Sequence, residues 1–227
     1  MIKPTPALIN DFDAIADALA AEDCGDVLLP AERFLLAQVP AGVRRALDVG
    51  CGDGMLTRAL AGRGISTLGL DVSPGMIALA RDRSRDLPLA EFQVHDLTVG
   101  GPPAQAAFDL VISAAVAHHV PLEGFVAFVR AALAPGGTAL IQDLTTRRGP
   151  RYAPWNTAAV AARALRRAFR PSRSSSRLDV LYARHGAGEE CLQHGGVREA
   201  YRTLLPGVRV YLHLEWRYTV VWHAPGA

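Results

Sequence analysis

The sequence predicts a doubly wound α/β fold around a mostly parallel sheet of seven strands. Five short apolar runs have the length and composition of buried parallel strands, at residues 46–49, 67–70, 92–94, 110–112 and 138–141. Helical patterns separate several of them, at residues 55–61, 74–81 and 122–133. Near the C-terminus, alternating apolar and polar residues over 208–214 and a run over 217–222 predict an antiparallel strand pair that closes the sheet.

Helices are expected before the first strand and after the fifth. Leu8, Phe12, Ile15 and Leu19 recur at helical spacing and predict an amphipathic helix, and a second short helix should follow Pro30. After residue 144 the α/β alternation stops. A helix is expected over residues 156–169, followed by a serine-rich turn over residues 171–177.

The start of the helix at residues 74–81 carries its own signal. Ser73 precedes it as a plausible N-cap, and Pro74 stands at its first position. Strands and helices that alternate in this way place ligands at the carboxyl ends of the parallel strands. Functional residues are therefore expected in the loops at that edge.

Composition excludes several classes of protein. A chain of 227 residues that is 50% hydrophobic and 20% charged suits one globular domain, and a net charge of +2 does not favour general nucleic-acid or membrane binding. No apolar run approaches the ~20 residues that a bilayer span needs, and no export signal is visible. Cys24, Cys51 and Cys191 lie far apart, which predicts a reducing, cytoplasmic location. Cys191 and His194 lack a second ligand pair, so we predict no metal.

The most informative segment is a glycine-rich turn after the first strand. Residues 47–54 read LDVGCGDG, so a strand runs into three alternating glycines. Glycines allow a ligand to approach the backbone closely and reach dihedral angles closed to other residues. Asp71 ends the next strand, 21 positions after Gly50, where a carboxylate can accept from ribose hydroxyls.

These features resemble the class I S-adenosylmethionine-dependent methyltransferases, whose first motif, acid-x-Gly-x-Gly-x-Gly, is matched from Asp48 to Gly54. Residues 95–97 (HDL) resemble the family's adenine-contacting turn, 108–113 (FDLVIS) its fourth strand, and 135–137 (PGG) the turn before its fifth. The resemblance covers residues 43–143 and 197–223 and implies a Rossmann-like fold. Residues 144–196 have no counterpart in it.

By this resemblance the cofactor is S-adenosylmethionine. Asp48 would orient the methionine amino group, Asp71 would bind the ribose, Val72 would pack on the adenine, and Asp96 would receive the adenine amino group. The complete set of expected cofactor residues is Asp48, Gly50, Cys51, Gly52, Gly54, Asp71, Val72, Met76, Asp96, Leu97 and Ser113.

A nicotinamide-dependent oxidoreductase is a weaker alternative. Met55 occupies the place of the last glycine or alanine of the dinucleotide motif, and Asp53 would repel a pyrophosphate at the helix N-terminus. The carboxylates of Asp48, Asp53 and Asp71 suit a sulfonium cation better. A cofactor-binding protein without catalysis, which uses its basic segment for an RNA or protein partner, is the other alternative.

Three residues are candidates for catalysis. Methyl transfer from a sulfonium is an in-line displacement, so alignment of the acceptor can supply most of the rate, and a positioned base can add to it. His118 and His119 follow the fourth strand, and histidine titrates in the range that a base requires. Asp143 ends the fifth strand, and its structural alternative is a solvated or helix-capping carboxylate.

The acceptor is expected to be a small molecule. Enzymes that methylate amino groups of nucleic-acid bases usually carry Asn/Asp-Pro-Pro-aromatic after the fourth strand, whereas residues 113–116 here read SAAV. Ten arginines lie between residues 147 and 184, some along one stripe of the helix expected at 156–169, and we expect a solvated face there rather than an RNA site. Oligomeric state stays open.

We therefore divide a single domain into four parts. Residues 1–42 form an N-terminal helical cap, 43–143 the cofactor-binding core, 144–196 a basic helical insertion or lid, and 197–227 a closing helix and strand pair.

Overall fold

The computed structural model describes residues 5–22, 26, 28–169, 176–187 and 189–226. The strands in these ranges are β1 (Arg45–Val49), β2 (Ser66–Asp71), β3 (Ala90–Val94), β4 (Phe108–Ala114), β5 (Leu133–Thr146), β6 (Leu192–Gln193), β7 (Arg209–Leu212) and β8 (Arg217–His223). The helices are α1 (Thr5–Ala20), α2 (Pro30–Ala37), α3 (Met55–Ala61), α4 (Pro74–Asp82), α5 (Leu122–Ala132), α6 (Ala153–Phe169), α7 (Ser176–His185) and α8 (Val197–Leu204).

The strands form one sheet whose main path runs β3-β2-β1-β4-β5-β8-β7. The first five strands pair in parallel, β8 is antiparallel to β5, and β7 is antiparallel to β8. The predicted α/β sheet with its antiparallel C-terminal pair is confirmed. Because the order reverses between β1 and β4, their carboxyl ends flank the switch point at which such sheets bind ligands.

Both faces of the sheet are covered, as the apolar strands require. On β4, Val111 belongs to a buried cluster that also contains residues of α5 and α8, whereas Leu110 and Ile112 pack with residues of α2 and α3. The alternation of side chains along each strand thus distributes the core over two layers.

The fifth strand differs from the prediction. Residues 135–137 were expected to form a turn before it, but β5 already begins at Leu133 and runs through them. Gly136 adopts a φ of 74°, and the register against β4 shifts between Phe108 and Leu110. A proline without an N–H and a glycine at positive φ are accommodated here by an irregularity within the strand, so the predicted turn is wrong.

The segment after β5 is helical, with two additions that the sequence did not predict. Residues 171–175 of the expected serine-rich turn lie outside the described residues, whereas Ser176 begins α7. The two-residue strand β6 pairs in parallel with the end of β5. On α6, Trp155 and Leu165 are 59% and 61% exposed. Among the described helices, none combines the length and hydropathy that a bilayer-spanning segment needs.

Candidate functional site

A cavity of about 560 Å³ lies at the carboxyl ends of the parallel strands. The ends of β1, β2 and β4 and the turns after β1, β2, β3 and β4 form one part of its wall, and residues of α1, α2, α3, α4 and α7 form the rest. Of the expected cofactor residues, nine line this cavity: Asp48, Gly50, Cys51, Gly52, Asp71, Val72, Met76, Asp96 and Leu97. Gly54 and Ser113 do not, and of the three candidate catalytic residues His119 alone lines it.

The glycine turn is fixed to the neighbouring strand by its backbone. The amides of Gly50 and Cys51 both donate to the carbonyl of Leu70, at 2.7 and 2.8 Å. Gly52 has a φ of 53°, and a Cβ placed on it would meet no atom within 4 Å. Because Gly52 lines the cavity, that open space is available to a ligand that lies against the main chain.

Gly54 and Ser113 serve the packing behind the cavity wall. A Cβ on Gly54 would come within 2.8 Å of the Phe92 ring, so this glycine lets α3 approach β3. Ser113 is fully buried, and its hydroxyl donates to the carbonyl of Val49 at 2.7 Å. Both residues therefore support the turn without facing the cavity.

Asp71 joins the glycine turn to the start of α4. The amide of Gly52 donates to its Oδ2 and the amide of Ser73 donates to its Oδ1, both at 2.9 Å. Burial raises the pKa of Asp71, and these amides oppose that shift. The carboxylate is thereby held at the cavity in a fixed orientation.

Asp48 is a buried acid with one unsatisfied oxygen. The hydroxyl of Thr57 donates to its Oδ2 at 2.7 Å, while Oδ1 has no hydrogen-bond partner among the described residues. Burial raises the pKa of Asp48 to about 7. An unsatisfied buried acceptor on a cavity wall suits a ligand that carries an ammonium group.

The other three acids at the cavity already have partners, and one of them, Glu32, accepts from the amide of Leu29 at 2.6 Å. Asp53 forms an ion pair with Arg83 and lies 3.9 Å from Arg58. These arginines offset the negative charge of Asp53, which the sequence predicts to interact with the sulfonium cation. Oδ1 of Asp96 accepts from the amide and the hydroxyl of Thr98, at 2.8 and 2.6 Å. Asp48, by contrast, keeps one oxygen without a partner in the described part of the chain, and this oxygen is available to a cationic ligand. Each oxygen of Asp71 accepts from one amide and has a further lone pair for a ribose hydroxyl.

Several cavity residues were not assigned to the site from the sequence. Leu8, Phe12 and Leu19 come from the apolar stripe of α1, a pattern that predicted burial but not a ligand. His95 also lines the cavity, and its buried Nε2 has no hydrogen-bond partner among the described residues. Tyr182 comes from α7, which lies in the segment without a counterpart in the family that the sequence resembles.

His118 and Asp143 form a buried pair behind the cavity wall. The His118 Nδ1 lies 2.6 Å from Oδ1 of Asp143, whose residue is 1% exposed. The amide of Leu144 donates to the same oxygen at 2.7 Å. Burial lowers the pKa of His118, but hydrogen bonds with Asp143 and Glu189 outweigh it and raise the pKa to about 9. The expectation that Asp143 is solvated or caps a helix is wrong, because this imidazole covers it.

Cys191 and His194 do not form a metal pair in the described part of the chain. The Arg147 Nε donates to the His194 Nδ1 at 3.2 Å, and the Tyr152 ring packs against the same imidazole. Arg147 is itself buried and donates to the backbone carbonyls of His213 and Leu214. This arginine of the basic segment therefore has a structural role.

Comparison with known proteins agrees with this site. A family model described as "Methyltransferase domain" matches residues 47–141, from the glycine turn to β5. This part of the chain, about two fifths of its length, is thus similar to methyltransferase domains. The match includes Asp71, Asp96 and the loop that carries His118 and His119.

Curated relatives of this chain include methyltransferases of different lengths. Trans-aconitate 2-methyltransferase of Variovorax paradoxus is 38% identical over 134 residues, which are 53% of this chain and 50% of the relative. An uncharacterised methyltransferase of Mycobacterium bovis is 27% identical over 195 residues, which are 86% of this chain and 94% of the relative. The chain spans about half the length of the first curated relatives it matches.

Solved methyltransferases share the fold of the chain. Phosphoethanolamine N-methyltransferase 2 of Haemonchus contortus was solved with phosphomonomethylethanolamine and S-adenosylhomocysteine. It superposes with a TM-score of 0.65 at 15% identity, over 94% of this chain and 57% of that chain. At this identity the similarity establishes the Rossmann-like fold and leaves the acceptor open.

Proposed function

We propose that the protein transfers a methyl group from S-adenosylmethionine to a small-molecule acceptor bound in the cavity. The observation that carries this proposal is the juxtaposition of exposed main chain at Gly52 with the unsatisfied Oδ1 of Asp48 on one cavity wall. Main chain without a side chain leaves room for an adenosine to lie against it. An unpaired buried carboxylate can accept hydrogen bonds from an ammonium group. The similarity of residues 47–141 to a methyltransferase domain supports the same assignment.

The residues of the wall divide the task of holding the cofactor. Asp48 would bind the methionine ammonium, Asp71 the ribose hydroxyls and Asp96 the adenine amino group, with Val72 and Met76 packed beside the base. S-adenosylmethionine supplies, when bound, a methyl group on a good leaving group. The protein then has to align the acceptor and exclude water, and well-oriented reactants can recover about 7–11 kcal/mol of the barrier.

The other end of the cavity favours an acceptor with an apolar body. Phe12 packs on His119 with ring centroids 5.8 Å apart, Leu8 and Val120 also line the cavity, and no lysine or arginine of the described residues does. His119 supplies a polar group on this wall. We therefore propose an acceptor whose oxygen, nitrogen or carbon nucleophile lies near His119 and whose remainder is apolar. His119 is the candidate catalytic residue, and His118 with Asp143 are positioning residues behind it.

Residues 144–196 act as the lid in this proposal. Helix α7 places Tyr182 on the cavity wall, and the same helix packs against α1. Arg163 of α6 is exposed, which agrees with a solvated face. We also infer a cytoplasmic location, because Cys51 and Cys191 are free thiols.

Calorimetric titration with S-adenosylhomocysteine tests the cofactor site. We expect the wild-type protein to bind and Asp71→Ala to bind at least about tenfold more weakly, since hydrogen bonds to a charged group contribute about 1.5–3 kcal/mol. Asp71→Asn keeps one acceptor oxygen and should lie between the two. Asp82→Ala removes an exposed acid that pairs with Arg85 and should bind like wild type. Equal affinity of all four proteins would contradict the assignment.

Methyl transfer to a panel of acceptors tests the reaction itself. S-adenosylhomocysteine release should be faster with apolar phenols, amines and enols than with trans-aconitate, because the described cavity lining offers no arginine or lysine for a tricarboxylate. Binding without turnover over the whole panel would favour a non-catalytic protein. Faster turnover of trans-aconitate would refute the apolar acceptor but leave the methyltransferase assignment intact.

A further inference from the structure

A buried group of imidazoles and carboxylates adjoins the acceptor end of the cavity. We call it the histidine cluster, and it consists of His118, His119, His185 and Glu189 with the outer acids Asp11 and Asp143. The side chains of the four inner residues are between 4% and 9% exposed. Five separate segments of the chain contribute to it, from α1 to the residues after α7. Buried groups of this kind require partners that balance their charge.

The imidazole nitrogens converge on one carboxylate. The His118 Nε2 lies 3.4 Å from Oε2 of Glu189, and the His119 Nδ1 lies 3.6 Å from Oε1. Oε1 of Glu189 is buried and accepts no hydrogen bond of regular geometry among the described residues, although the His185 Nε2 lies 3.1 Å from it. One ligand atom from each of these three side chains lies within 4.8 Å of the others.

The two separations from Glu189 are close to the edge of a metal coordination sphere. Zinc binds nitrogen and oxygen at about 2.0–2.2 Å, so tetrahedral ligand atoms stand about 3.3 Å apart. Two imidazoles and one carboxylate are also the set that catalytic zinc and non-haem iron sites use, with a coordination position left open. Three convergent ligands of the right type are thus present.

The groups around the three ligands orient them as metal sites require. Asp143 holds the His118 Nδ1 at 2.6 Å, which turns Nε2 toward Glu189. The His185 Nε2 lies 3.1 Å from Oε1 of Glu189, and its Nδ1 lies 3.2 Å from Asp11. Carboxylates that fix the second nitrogen of a histidine ligand are characteristic of metal centres.

We propose that the histidine cluster binds one divalent transition-metal ion through the His118 Nε2, the His119 Nδ1 and the Glu189 carboxylate. His185 and Asp11 orient Glu189 from outside, and Phe12 packs on His185 with ring centroids 4.5 Å apart. Because His119 also lines the cavity, the ion borders the space of the acceptor. The proposal concerns metal binding and does not depend on methyl transfer.

Titration of tag-free, chelator-treated protein with Zn²⁺ tests the proposal. We expect one ion per chain with a dissociation constant in the micromolar range or tighter. Glu189→Gln and His119→Ala should weaken binding by more than about tenfold, as losses in metal sites typically do. His223→Ala removes an exposed histidine on β8 and is the matched control, which should bind like wild type.

Spectroscopy of the wild-type protein makes the test independent of the variants' folding. Co²⁺ should give visible absorption typical of low-coordinate nitrogen and oxygen ligation, and X-ray absorption of the Zn²⁺ form should show two imidazoles and no sulfur. No stoichiometric binding would mean that a proton-sharing network of ion pairs fills the cluster. Undiminished binding by Glu189→Gln, or sulfur in the Zn²⁺ shell, would place the ion elsewhere, and either result overturns the proposal.

Discussion

Burial of the Asp48 carboxylate lowers the stability of the free protein and provides an acceptor for a ligand. Its carboxylate is 1% exposed, and only one of its oxygens is satisfied among the described residues. Burial raises its pKa to about 7, with further contributions in the same direction from Asp71 and Asp53. A positively charged ligand would offset the free energy of burying this carboxylate. The burial therefore favours the bound state.

Asp48→Asn should therefore stabilise the free protein while it weakens binding. Because the folded-state pKa lies above the ordinary value of 3.8, the folded chain holds an extra proton, and its unfolding free energy falls as pH rises from about 4 to 7. Asparagine has no such titration, so the stability advantage of the variant should grow by a few kcal/mol over that range and then level off. Urea unfolding at several pH values measures it.

The same substitution predicts a change in the pH dependence of binding. Wild-type affinity for S-adenosylhomocysteine should rise from pH 6 to 8 as Asp48 ionises, and the Asp48→Asn profile should be flat and weaker. Parallel profiles for the two proteins would show that Asp48 does not meet the ammonium group.

Gly52→Ala separates backbone strain from obstruction of the cavity. Gly52 and Gly64 both have positive φ, 53° and 80°, and a Cβ on either would meet nothing within 4 Å. Alanine at each should cost about 1–2 kcal/mol of stability. Only the methyl group at position 52 would enter the cavity, so S-adenosylhomocysteine should bind Gly52→Ala more than about tenfold more weakly and Gly64→Ala normally. Calorimetry on both variants decides this, and equal losses would refute it.

At the scale of elements, α1 packs on α4 through buried apolar residues, and one polar side chain adds hydrogen bonds between the two helices. Oδ1 of Asp13 accepts from the hydroxyl of Ser73 at 2.5 Å and from the amide of Gly75 at 3.0 Å. Ser73 in turn caps α4, since its Oγ accepts from the amide of Met76 at 2.9 Å, which confirms the predicted N-cap. The helix that lines the acceptor space is thus tied to the start of the helix that follows β2.

Asp13→Ala should loosen α1 without disturbing the sheet. Loss of two hydrogen bonds to a carboxylate is expected to cost about 1–3 kcal/mol. Hydrogen exchange should accelerate in α1, and the KM for the acceptor should rise more than the affinity for S-adenosylhomocysteine falls. Asp17→Ala changes an exposed acid of the same helix and is the control. Unchanged exchange in α1 would contradict this role of Asp13.

At the scale of the whole molecule, the parallel core was predictable because its signals are local. Residues 47–54 contain the strand, the turn and the helix start in one run, and Asp71 follows at a fixed interval. The bounds of α3 agree with the helix expected over residues 55–61. Where the turn residues and the periodic apolar residues are adjacent in the chain, the sequence is sufficient to predict the strand, the turn and the start of the helix.

The histidine cluster was not predictable, because its members meet only in the folded chain. His118 and His119 were noticed as neighbours of a strand, but His185 and Glu189 belong to α7 and the residues after it, which no periodicity marked. Their partner Asp11 lies on the solvent-polar pattern of α1. Long-range pairing of this kind depends on how α7 packs against α1. That packing cannot be predicted from the pattern of a single sequence.

Ligand binding should stabilise the entire domain. S-adenosylhomocysteine at a hundredfold excess over its dissociation constant adds about 2.7 kcal/mol, which for a chain of this size raises Tm by about 5–11 °C. NADH at the same concentration should not change Tm, and Asp71→Ala should respond less than wild type. An equal shift with NADH would revive the nicotinamide alternative. Differential scanning fluorimetry is the measurement.

The cavity wall joins Thr5 and Tyr182, which most of the chain separates. During synthesis neither part of this wall is complete until α7 and α8 have left the ribosome, because Val111 of β4 packs with residues of α8 and Tyr182 comes from α7. A nascent chain should therefore acquire affinity for a nucleoside late in its synthesis.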